Sequence, residues 1–303
     1  MIVRWLIGFL VGLAVALLIV FFADPNRRMM GVGKNEHFFQ NKPTEYWAKG
    51  LQDPSPKDHL ETQNRLKAGG AEAVPVLIDL LRSPGGSDWA AAEVRWQAAE
   101  ILGQIGPAAT PAVPALTAAL KDSDPHVRTV AATALGQIGK EAASAAPQLI
   151  EMLKTEDCLL AGKALKPLCV GQKELIPALL PLLKDTDPVV RWNAVMIIGK
   201  IGQAAKEETP TMVTMLKDED AKVREHAAEA IGDFGPGGVA GVPALIEALK
   251  DKEWRVRRDA ARSLGQIGPG AKEALPALGA LSKEEDKEVK DAAAKAIRQI
   301  GAP

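Results

Sequence analysis

Glycines that close a short repeated motif recur along this chain at a nearly constant interval, and no other feature restricts its fold so tightly. They are Gly70, Gly106, Gly139, Gly171, Gly202, Gly235, Gly268 and Gly301, separated by 36, 33, 32, 31, 33, 33 and 33 residues. Between them one unit repeats: an apolar run after a proline, Lys-Asp-x-Asp, Val-Arg, then Ala-Ala-x-Ala-Leu-Gly-x-Ile-Gly. Self-similarity sustained over so many periods implies a solenoid, in which each unit buries its apolar face only by stacking on its neighbours.

Each unit reads as two helices. Pro75, Pro114, Pro147, Pro177, Pro210, Pro243 and Pro276 stand five to eight residues after a closing glycine. Proline is tolerated in a first helical turn, where its missing N–H costs nothing, so each marks a helix start. In the second helix Val127, Val130, Ala131, Ala134, Leu135 and Ile138 form one apolar face. Gly139 is expected to end that helix as a left-handed cap, and the acidic turn Asp122–Asp124 to cap its start. With 47% hydrophobic but only 4% aromatic residues, helices are favoured over sheet. The expected fold is an all-α solenoid of about seven to eight helix pairs spanning residues 44–303.

KDSDPHVRTVAATALGQIG at 121–139 and KDTDPVVRWNAVMIIGKIG at 184–202 resemble HEAT repeats of the short, bilin-lyase-like variety. Ankyrin and tetratricopeptide signatures are missing despite the similar period. The resemblance implies a curved stack whose second helices line a concave face used for partners. It also implies an enzymatic alternative, a HEAT-fold enzyme of the bilin-lyase or deoxyhypusine-hydroxylase type. Against the hydroxylase, the only Glu-His pairs are Glu36-His37 and Glu225-His226, in reversed order and without the fourfold set of a di-iron centre. No nucleophile or acid–base constellation stands out for the lyase, so no catalytic, cofactor-binding or metal-binding residue is assigned.

Ahead of the repeats, Trp5 to Ala23 is free of charge and long enough to cross a bilayer as one transmembrane helix. Residues 1–23 are therefore read as an anchor and 24–43, which hold Pro25, Gly31, Gly33 and Pro43, as a linker. Gly8, Gly12 and Ala16 lie on one line of that span and offer a weak homodimer contact. The expected location is a single-pass membrane protein with its solenoid on the extracytoplasmic side, since large domains behind such a span translocate largely regardless of flanking charge.

The Asp and Arg six residues apart recur as Asp122 with Arg128, Asp185 with Arg191, Asp218 with Arg224 and Asp251 with Arg257. Repetition points to a structural ladder, each arginine bonding carboxylates of its own and an adjacent turn. Arg255, Arg258 and Arg262 form a stripe beside Trp254, with Glu225, Asp291 and Glu229 expected to neutralise it from neighbouring repeats. Trp96 and Trp192 follow ladder arginines at one equivalent position and, with Arg258 and Arg262, are the candidate partner-binding residues. A formal charge of -1 gives no field to recruit nucleic acid, so the expected partner is a protein or extended peptide. The fourth unit departs from the pattern at 155–171, where Pro167 and the thiols Cys158 and Cys169 mark either a cleft or drift with buried thiols.

Overall fold

The computed structural model of the protein describes residues 37–84 and 89–301. The expected span, its small residues Gly8, Gly12 and Ala16, and residues 24–36 of the linker lie outside these. Among the described residues no helix is long and apolar enough to cross a membrane. The chain divides into two compact units, residues 1–134 and 135–303.

The first unit opens on a hairpin, β1 (Phe38–Phe39) paired antiparallel with β2 (Lys42–Pro43). This corrects the linker expectation for residues 37–43. Phe39 is buried with its ring 5.2 Å from that of Trp47, and His37 Nδ1 lies 2.7 Å from Asp79 Oδ2. The hairpin covers apolar surface that the first repeat has no predecessor to bury. There follow α1 (Thr44–Leu51), α2 (Pro56–Ala68), α3 (Val74–Leu81), α4 (Trp89–Ile105), α5 (Val113–Ala119) and α6 (Pro125–Ile138), the division between units falling inside α6.

The second unit continues with α7 (Ala146–Met152), α8 (Cys158–Leu168), α9 (Ile176–Leu179), α10 (Pro188–Ile201), α11 (Thr209–Met215), α12 (Ala221–Asp233), α13 (Val242–Ala248), α14 (Trp254–Ile267), α15 (Leu275–Leu281) and α16 (Lys287–Gly301). All seven marker prolines occupy the second residue of a first helix, α3, α5, α7, α9, α11, α13 or α15. Helix α9 is only 4 residues long, because Pro181 soon follows and cannot donate to the α-helical ladder.

Seven closing glycines, from Gly70 to Gly268, have φ between 51° and 80°. The expected left-handed cap holds for the sign of φ and needs refining in ψ. Gly202 and Gly268 reach ψ -146° and -140°, a region essentially reserved for glycine, from which the chain enters a 3-10 segment leading to the next proline. Consecutive second helices of the second unit, α10, α12, α14 and α16, pack side by side. A glycine three residues before the closing glycine, Gly199 or Gly265, sets how near they come. A Cβ on Gly199 would sit 2.8 Å from the Ala230 Cα, and one on Gly265 2.9 Å from the Ala296 Cα. Five of the six apolar residues expected in α6 are buried, Val130 being half-buried.

Candidate functional site: the second-helix face

The ladder binds Arg95, Arg191, Arg224 and Arg257 to the following repeat. Arg191 donates from Nε and Nη2 to both carboxylate oxygens of Asp218 at 2.9 Å, and from Nη1 to the carbonyls of Asp185 and Thr186. Arg224 does the same to Asp251 and to the carbonyls of Asp218 and Glu219. Arg257 reaches Glu284, and Arg95 of the first unit reaches Asp122. The own turn thus contributes carbonyl oxygens and the next turn the carboxylate, where carboxylates from both were expected. Arg128 takes the Asp122 carbonyl.

Each ladder aspartate also accepts the N–H two residues on, as Asp218 does from Asp220 at 2.9 Å. Asp187 and Asp220 then cap α10 and α12. Burial would raise the carboxyls of Asp122, Asp218 and Asp251, but the arginine and backbone hydrogen bonds outweigh it and hold all three below the ordinary value. Asp185 departs from the rule. The preceding repeat has Leu160 in the arginine position, and among the described residues no arginine reaches the Asp185 carboxylate.

On the opposite flank of the second helices the second unit carries two polar clusters. Lys200 Nζ donates to Glu229 and Asp233, both at 2.8 Å, and Glu229 meets His226 Nδ1 at 3.1 Å. The His226 hydrogen bond, opposed by burial and helped by Lys200, lowers Glu229 to about 2, whereas burial wins at Asp233 and raises it. Arg258 donates twice to Asp259 and once each to Glu225 and Glu288, and lies over the Trp254 ring at 5.1 Å. Arg262, half-exposed, shares Asp259 at 3.2 Å. Of the neutralising partners expected, Glu225 reaches Arg258, Glu229 serves Lys200 instead of Arg262, and Asp259 and Glu288 stand where Asp291 was expected.

Trp96 and Trp192 are both half-buried, in different units. Trp96 meets the His126 ring edge-on at 5.0 Å, and Trp192 stacks on His226 at 5.2 Å with Lys222 Nζ 3.9 Å from its centroid. Leu60 occupies the register of Trp96 one repeat earlier and is 55% exposed. Lys200 and Lys222 were not singled out from sequence, and His226 only as half of a Glu-His pair. Aligning neighbouring units at their closing glycines would have placed them beside Trp192 and Glu229. Cys158 and Cys169 are buried, and Cys169 is pushed up to about 12 by burial, so the fourth unit holds inert thiols where a cleft had been one expectation. Among the described residues no cluster of three His, Cys, Asp or Glu converges as metal ligands would.

A sequence profile described as HEAT repeats matches residues 74–161, 146–214 and 209–298. The chain belongs to the HEAT-repeat family. No curated protein matches the sequence. Among solved structures this HEAT-repeat chain is similar to Kap121p, at 15% identity and a TM-score of 0.56, over 85% of this chain and 33% of that one. It is also similar to importin beta, at 16% identity and 0.54, over 85% and 38%. It therefore spans about a third of each, and the likeness is one of fold. The CpcE–CpcF phycocyanin lyase complex of Nostoc sp. PCC7120 matches at 22% identity over 83% of this chain and 98% of that one, with a TM-score of 0.40, too low to carry an argument.

Proposed function

We propose that this HEAT-repeat chain is a membrane-tethered scaffold whose second-helix face binds a protein or extended peptide. The observation that carries the reading is a division of labour along the repeats. The ladder arginines are spent on joining one repeat to the next, while the other flank presents half-buried indoles and half-exposed cations beyond what stacking uses. Indoles flanked by long polar side chains are the usual anchors of protein interfaces. Residues 5–23 supply the tether, with the body on the extracytoplasmic side, on the strength of their length and freedom from charge.

Affinity capture tests the proposal. The body should retain a specific protein that the double variant Trp96→Ala with Trp192→Ala loses, at an unchanged melting temperature. Truncating a true anchor costs about 2 kcal/mol or more. Full retention by the folded variant would move the interface elsewhere.

A further inference from the structure

Two cations on the second-helix face of the second unit differ from the rest. Lys222 rests on the Trp192 ring at 3.9 Å, and Arg255 on the Trp254 ring at 4.6 Å. Both are exposed, and among the described residues neither forms an ion pair, whereas the neighbouring Arg258 is held by three carboxylates. An indole beneath a guanidinium or ammonium orients it and leaves its remaining N–H donors free for an outside acceptor.

The two cations also share a register. Lys222 and Arg255 each stand two residues before a ladder arginine, on α12 and α14, which pack side by side. Packed helices lie roughly 8–10 Å apart, and an extended peptide of the polyproline II type advances about 3.1 Å per residue and returns the same face every three residues, so one step matches about three residues of such a chain.

We propose that this stripe recognises an extended acidic peptide with carboxylates about three residues apart. Lys222 and Arg255 take successive carboxylates, and Trp192 and Trp254 receive the apolar stems between them. The proposal rests on the second-helix face being the docking face and adds the chemistry of the partner. Single- or double-stranded nucleic acid fits less well. Its unbroken line of phosphates would pass the part-exposed Glu225 and Glu288 beside the cations. Separate carboxylates can meet the cations and miss those acids.

The test uses full-length protein in detergent and fluorescence anisotropy. The probes are a short peptide with glutamate at every third position, its glutamine isostere, its lysine counterpart and an oligothymidylate. The acidic peptide should bind at least about tenfold more tightly than the isostere, and more weakly as salt rises. Lys222→Glu with Arg255→Glu should abolish that preference at an unchanged melting temperature, and Lys222→Gln with Arg255→Gln should reduce it. Equal binding of the isostere, indifference to charge reversal, preference for the oligonucleotide or no binding of any peptide would each overturn the proposal. Tight binding of the lysine or glutamine peptide that Trp192→Ala removes would overturn the acidic partner and leave the docking face standing. Loss of both would need, in addition, a captured protein that the double tryptophan variant still retains.

Discussion

Arg191 shows how one side chain can hold a repeat array together. It is buried, gives two bonds to a carboxylate 27 residues ahead and two to carbonyls behind, and so ties two turns together. Arg191→Ala should cost about 2–4 kcal/mol in urea unfolding, because the half-buried Asp218 is left without its counter-ion. Loss of binding without loss of stability would contradict a structural role. Acid should act through the same groups. Asp122, Asp218 and Asp251 are lowered from 3.8, and Glu229 from 4.5 to about 2, so each stabilises the fold above its ordinary value and ceases to as pH falls through its folded value. The melting temperature should drop below about pH 4, and Glu229→Gln should remove part of the decline toward pH 2. A variant with the same acid profile would show that Glu229 does not contribute. The ladder residues were visible in sequence because they repeat. Their partners were half-visible, since a carbonyl acceptor has no sequence signature, and Asn193, whose amide oxygen fills the space left by Gly162, had none at all.

At the scale of helices, proline and glycine did most of the specifying. Proline placed every first helix, and the closing glycines supplied a backbone turn that other residues enter only with strain. The inner glycines act differently, by removing a side chain where two second helices nearly touch. Alanine is the better helix former by about 1 kcal/mol, yet Gly199→Ala and Gly265→Ala should destabilise by about 1–3 kcal/mol, since the added methyl meets backbone that cannot give way. Chemical denaturation measures the sign directly, and a stabilised variant would mean the helices can part. The 37–43 hairpin was not legible, because two-residue strands leave no periodic pattern and Pro43 reads as a linker residue. The brevity of α8 was legible in Pro167, which falls inside the last turn without opening a path to either thiol. Both cysteines should therefore resist a thiol reagent in the native protein and react on unfolding. Rapid native labelling would show that the fourth unit opens.

For the whole molecule, repetition made the family legible, whereas the function depends on how the repeats differ. Trp96, Trp192, Lys222 and Arg255 stand at positions where other repeats carry unrelated residues, and a repeat pattern describes only what is shared. The proposed tether rests on residues 5–23 alone. Full-length protein should stay with membranes through carbonate washing, and a shortened soluble chain would identify the segment as a cleaved signal. Site-specific photo-crosslinking most directly tests the proposal that partners dock on the second helices. The probe would be placed in turn at Thr133 and Gln266, exposed on second helices, and at Ala118 and Glu247, exposed on first helices. Cross-links to the captured protein should form from positions 133 and 266 and not from 118 and 247; the reverse pattern would contradict the proposal.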